Sequence, residues 1–212
     1  MHVKREVTAY RWVPDFAWGF VRDLRIRWAL EEAGLPYEIV LMDFETVKSP
    51  EHRRWQPFGQ VPAYRDDEVE MFESGAIVLH LAEESEALAP ADKAGRARVT
   101  TWVVAALNSI EPHAQIYLSL HAGPDDERRT QARARLDQRL AALGDWLGDE
   151  DYLEGRFTAA DIVMTCALRE LVESGVLRAH PSLDAYRARC EARPAFARSL
   201  EAQLQTFREN AP

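Results

Sequence analysis

Pro57-Phe58-Gly59-Gln60-Val61-Pro62-Ala63-Tyr64, followed after a charged stretch by Phe72-Glu73-Ser74-Gly75-Ala76-Ile77, decides how this chain folds. Val61 to Tyr64 and Glu68 to Phe72 are β-prone runs that bracket Arg65-Asp66-Asp67, a hairpin signal. Ser74 to Glu84 then carries a helical pattern. Pro62 reads two ways. A trans proline would open an edge strand; a cis bond, which is essentially a proline feature, is the reading that the hairpin-helix context favours. The cis form would turn the Val61 N–H and C=O outward, free to pair with an extended ligand as an added strand. Glu73 offers a carboxylate to an ammonium, and the Ser74 hydroxyl with the first helical N–H groups suits a carboxylate. Ser74 also reads as a plain N-cap, and the two roles are compatible.

Working toward the N-terminus, Val7 to Trp12 and Tyr37 to Met42 read as strands on either side of a helix from Phe20 to Ala33. That helix places Phe20, Leu24, Trp28 and Ala29 on one side and Arg22, Arg25 and Glu32 largely off it. Gly34 and Pro36 stop it. A β-α-β run implies a parallel pair with a right-handed crossover. The sum is βαβ followed by ββα, a four-stranded mixed sheet with helices against it.

Toward the C-terminus the character changes near Pro90. Ala, Arg, Leu and Glu dominate, and helical runs fall at about Lys93–Tyr117, Asp125–Leu147, Thr158–Ser174, Leu183–Ala192 and Pro194–Phe207. The expected division is an α/β domain over residues 1–84, a linker over 85–94, and an all-α helical bundle over 95–212.

The 212 residues carry a net charge of −9, which argues against a nucleic-acid backbone as partner. No apolar run approaches the ~20 residues that span a bilayer, and Met1 to Glu6 lack a signal-peptide core. Cys166 and Cys190 fall in helical stretches and read as free thiols, although pairing is open to them. The expected setting is cytoplasmic. The six histidines show no metal-ligand spacing, so no metal is expected.

Three linked stretches carry a resemblance: Lys48-Ser49-Pro50-Glu51-His52, Pro57 to Ala63, and Phe72 to Ile77. Together they resemble the glutathione site of the cytosolic glutathione S-transferases, especially the plant phi-like and bacterial branches. Phe157-Thr158-Ala159-Ala160-Asp161-Ile162 resembles the capping box of that family's buried helix, and Ala192 to Phe196 resembles the break before its last helix. The resemblance implies a thioredoxin-like N-terminal domain and glutathione as co-substrate. It implies that Glu73 and Ser74 hold the γ-glutamyl group, that Val61 pairs with the cysteinyl backbone, and that Pro62 is cis. Gln60 and Lys48 would face the cysteinyl-glycine end. Phe58 matches an aromatic that enters a partner subunit, implying a homodimer; its other reading is a local anchor for the loop.

One element of the pattern is missing. The family activates the glutathione thiol with a hydroxyl or thiol that, by anchoring on Arg27 to Gly34, should fall within Phe20-Val21-Arg22-Asp23, where there is none. Tyr10 could donate a phenolic O–H, or be a strand aromatic packed into the sheet. Arg22 could stabilise a thiolate, or be a solvated helix-face cation. Backbone N–H groups at the helix start are a third route. Trp12, Trp18 and Trp102 read as core or as wall for a hydrophobic electrophile. The expected function is transfer of the glutathione thiolate to such an electrophile. The alternative is a non-catalytic protein of the same fold used as an interaction module.

Overall fold

The computed structural model describes residues 3–212; Met1 and His2, the latter among the histidines counted above, lie outside the described residues. In chain order the elements are β1 (Glu6–Tyr10), α1 (Asp23–Ala33), β2 (Glu38–Met42), α2 (Pro50–Trp55), β3 (Ala63–Arg65), β4 (Glu70–Phe72) and α3 (Ser74–Glu84). There follow α4 (Lys93–Ala105), α5 (Glu111–His121), α6 (Glu127–Leu147), α7 (Ala159–Arg169), α8 (Pro181–Glu191) and α9 (Pro194–Glu209). They form two compact units. One runs to Leu88 and includes Pro194–Pro212; the other is Ala89–Arg193.

In the first unit the sheet order is β2-β1-β3-β4. β1 lies parallel to β2 and antiparallel to β3, and β3 is antiparallel to β4. β1 is buried on both faces, as an inner strand of a covered sheet must be. α1 stops at Gly34, whose φ of 65° is the left-handed conformation that only glycine adopts cheaply. The Leu35 N–H then reaches back to the Leu30 carbonyl at 3.0 Å, closing the helix end.

Three details of this unit differ from the sequence reading. α1 begins at Asp23, because residues 13–20 form their own turn, tied by Trp18 Nε1 donating to the Val13 carbonyl at 2.8 Å. Arg25, expected off the apolar side, is buried, as is Arg27. Buried acceptors make this tolerable: Asp23 takes the Arg27 Nε at 2.7 Å and Ser74 takes the Arg25 Nη1 at 3.1 Å. Finally, α9 groups with this unit and not with the helical one. It lays Phe196 edge-on to Trp28 at 4.8 Å, stands Phe207 6.0 Å from Trp18, and sends Gln203 Nε2 to Asp23 at 2.7 Å.

The second unit has no strand among the described residues. α4 starts at Lys93, inside the stretch expected to be linker, because Asp92 caps it by accepting the Gly95 N–H at 2.8 Å. α4 and α5 are continuous through a π-helical turn, Ala106–Ile110. Pro112 accounts for the turn: it has no N–H to give Asn108, and its ring needs room beside that carbonyl.

α7 is buried from Ala159 through Leu168. Its start converges on Asp161, which accepts the Thr158 N–H at 2.8 Å, the Leu153 N–H at 3.1 Å and the Tyr186 hydroxyl at 2.8 Å. Thr158 completes the capping box. Burial raises the Asp161 carboxyl above its ordinary range, against the pull of those donors. This carboxylate is committed to folding. Both cysteines are free and buried, and burial pushes the Cys190 thiol up to about 12. No described helix is long and apolar enough to cross a membrane.

Candidate functional site

The hairpin register builds the site. Ala63 is the cross-strand partner of Phe72. Val61-Pro62, which immediately precede Ala63, and Glu73-Ser74, which immediately follow Phe72, therefore emerge at the same end of the β3–β4 pair. The Val61–Pro62 peptide bond is cis. The Ala63 N–H is fixed on the Thr8 hydroxyl at 2.7 Å. Val61 itself has no hydrogen-bond partner for its N–H or C=O among the described residues, whereas the Gln60 N–H and C=O are both engaged. An open donor-acceptor pair on one buried residue is what an added strand requires.

Glu73 is exposed and is the one described non-glycine residue with positive φ, at 71°, with ψ at 112°. This conformation costs a residue with a Cβ about 1–3 kcal/mol, and such positions cluster at ligand clamps. Glu73 occupies the N-cap position of α3 without a side-chain cap bond. Ser74 is the first helical residue, not the cap, and its buried hydroxyl receives Arg25 Nη1. A carboxylate, a hydroxyl held by a guanidinium, and the free N–H groups opening an eleven-residue helix thus share one end.

Tyr10 ends β1 and packs with Val21 and Val40 against the buried cluster of Met42, Val47 and Val61. Its ring also meets Phe44 at 4.9 Å. Burial raises the Tyr10 phenol above its ordinary value, with the Lys48 charge pulling the other way. At neutral pH it is a proton donor and not an anion. Lys48 is exposed and paired with Glu45 at 2.9 Å. Gln60 has an exposed side chain, and Arg22 lies exposed just before α1.

Phe58 is 63% exposed and propped edge-on by Phe72 at 5.9 Å, so it is both a loop anchor and an outward apolar group. Trp12 and Trp18 are half-buried, whereas Trp102 belongs to the second unit and meets Trp146 in a tilted ring contact at 5.3 Å. Arg25 was not among the residues singled out from sequence; a charged residue on a helix carries no mark of burial until its acceptor is placed.

Donor atoms of Asp66, His80 and Glu84 lie within 4.8 Å of one another. The group reads as a hydrogen-bond network. Asp66 accepts from the Tyr64 hydroxyl at 2.9 Å and from the amides of Glu68 and Val69, while Arg5 holds Glu84 at 2.5 Å.

Comparison with known proteins bears on the family of the fold. Residues 16–83 match the family model for the glutathione S-transferase N-terminal domain, and residues 108–194 match that for the C-terminal domain. Glutathione S-transferase 1 of Zea mays is 35% identical over 173 residues, covering 74% of this chain and 81% of the maize protein. A probable glutathione S-transferase of Oryza sativa is 31% identical over 194 residues, 84% of this chain and 89% of its own. A glutathione transferase from Burkholderia graminis, solved with two glutathione molecules bound per subunit, superposes with a TM-score of 0.80. It is 26% identical and covers 94% of this chain and 88% of its own. The chain belongs to the glutathione S-transferase family.

Proposed function

We propose that this protein is a glutathione transferase. Val61 pairs with the cysteinyl backbone of glutathione, and Glu73 takes its α-ammonium. Ser74 and the α3 amides take the γ-glutamyl carboxylate, and Gln60 and Lys48 face the glycine end. The observation that carries this reading is the Ala63–Phe72 pairing, which brings an open main-chain edge and a charged helix start together.

The thiol then lies over the C-terminal end of β1, where ligands of such sheets bind. Tyr10 ends that strand and touches the Val61 cluster, so its protonated phenol is the donor we assign to the thiolate, with Arg22 the second candidate. Donation to the sulfur favours the charged form and raises the thiolate fraction at neutral pH. The thiolate attacks a hydrophobic electrophile, in conjugation chemistry of a detoxifying kind, with peroxide reduction or dehalogenation as variants. Exposed Phe58 fits a homodimer. Two buried free thiols fit the cytoplasm.

A non-catalytic interaction module is the second reading, favoured by the lack of a hydroxyl or thiol in residues 20–23. Retention on immobilised glutathione decides between them. Strong retention that is lost in Glu73→Ala and Ser74→Ala supports the enzyme; weak retention indifferent to both supports the module.

A further inference from the structure

The Gln60 main chain is held on both sides, by a side chain of α2 and by that of the residue capping it. Its N–H donates to Gln56 Oε1 at 3.2 Å, and its carbonyl faces His52 Nε2 at 2.7 Å. A carbonyl only accepts, so the His52 ring must carry its proton on Nε2. His52 lies in the middle of α2 and Gln56 is its C-cap residue, and both are buried. The helix that presents them is fixed in turn: Ser49 Oγ accepts the His52 N–H at 3.2 Å, and the Gln56 N–H returns to the His52 carbonyl at 2.7 Å. Gly59 completes the arrangement. Its φ is +66°, and a Cβ there would meet the Val47 carbonyl oxygen at 3.0 Å, so the loop lies close on the cluster that holds Val61.

We infer that His52 and Gln56 form a clamp that sets the register of glutathione binding. By occupying both polar groups of Gln60, they leave Val61 as the residue beside the cis bond whose N–H and C=O are open. An incoming peptide can then pair at Val61 and not at Gln60, which selects a ligand whose central residue offers both groups. Neither side chain touches the ligand in this scheme; they are positioning residues. The inference rests on the glutathione reading above.

The test compares His52→Leu, which keeps bulk but not the donor, with His52→Gln, whose amide can donate to the same carbonyl. Loss of one aligned hydrogen bond is expected to raise KM for glutathione by about tenfold. The kcat and the KM for an aryl halide should stay within about twofold, and His52→Gln should recover most of the loss. Far-UV circular dichroism checks that the variants fold. Amide hydrogen exchange in glutathione-free protein supplies the second reading. The Gln60 amide should be protected and the Val61 amide not, and Gln56→Leu should speed Gln60 exchange by about tenfold.

A His52→Leu protein that binds glutathione as the wild type does, or equal protection at Gln60 and Val61, overturns the clamp alone. A wild-type protein indifferent to glutathione overturns the parent reading and takes the clamp's role in binding with it.

Discussion

The Arg25 guanidinium on α1 donates to the Ser74 hydroxyl on α3, and both residues are buried. Ser74 therefore has a structural task of its own, apart from any contact to a ligand. Removing its oxygen takes one acceptor away from a buried guanidinium, which costs about 1–3 kcal/mol. Ser74→Ala should lower the urea midpoint of glutathione-free protein, while Glu73→Ala, at an exposed side chain, should not. Both should lose retention on glutathione. If Ser74→Ala unfolds at the wild-type midpoint, the Arg25 contact is not holding the start of α3.

Glu73 gives the opposite pairing of stability and function. Its φ of 71° is strained for any residue with a Cβ and free for glycine. Glu73→Gly should therefore raise unfolding free energy by up to about 1 kcal/mol, reduced by the greater chain entropy that glycine brings. The same change removes the carboxylate proposed for the α-ammonium, so glutathione retention should fall. Thermal unfolding and affinity measured on one preparation check both signs, and a variant that loses stability would show that the turn does not strain Glu73.

How much of this was legible in the sequence depended on whether the signal was local. Gly34 with Pro36 and the Thr158–Asp161 box announce themselves by residue type and spacing, and the structure places each at its helix end. Val61-Pro62 and Glu73-Ser74 could be read as neighbours because a hairpin of the right length separates them. Burial of charge could not be read so directly. Arg25 fits a solvated helix face by periodicity, and its acceptor Ser74, which makes its burial tolerable, stands far along the chain. α9 shows an apolar face in Phe196 and Phe207, but nothing in that face says which unit it covers. The clamp on Gln60 left a faint trace: a histidine and a glutamine four residues apart just before a glycine-containing loop.

Acid stability should depend on Asp66. Burial alone would raise its carboxyl, but His80, the Glu68 and Val69 amides and the Tyr64 hydroxyl together bring it down to about 2. A carboxylate whose folded pKa lies below its unfolded value of ~3.9 contributes stability that is complete above the unfolded value and is lost as pH falls toward the folded one. The contribution is roughly 2 kcal/mol, lost between about pH 5 and pH 2. Arg5 and Glu84 frame the same network through His80. Urea denaturation across that range should show wild-type stability falling more steeply than that of Asp66→Asn. Parallel slopes would mean that the carboxylate is not held in the folded state.

Tyr10→Phe tests how the thiol is activated. The variant keeps the ring against Phe44 and the Val61 cluster, so stability and glutathione KM should change little. Without the phenolic donor, the bound thiol should titrate closer to its free value of ~8.5. The aryl-halide rate should then fall by about tenfold or more near pH 6.5 and recover as pH rises toward 9, where the thiolate forms unaided. Arg22→Ala, at an exposed position before α1, should shift the profile less. An unchanged profile in Tyr10→Phe together with a shifted one in Arg22→Ala would transfer the role to the guanidinium. Two unchanged profiles would leave the amides at the start of α1, which need no side chain at all.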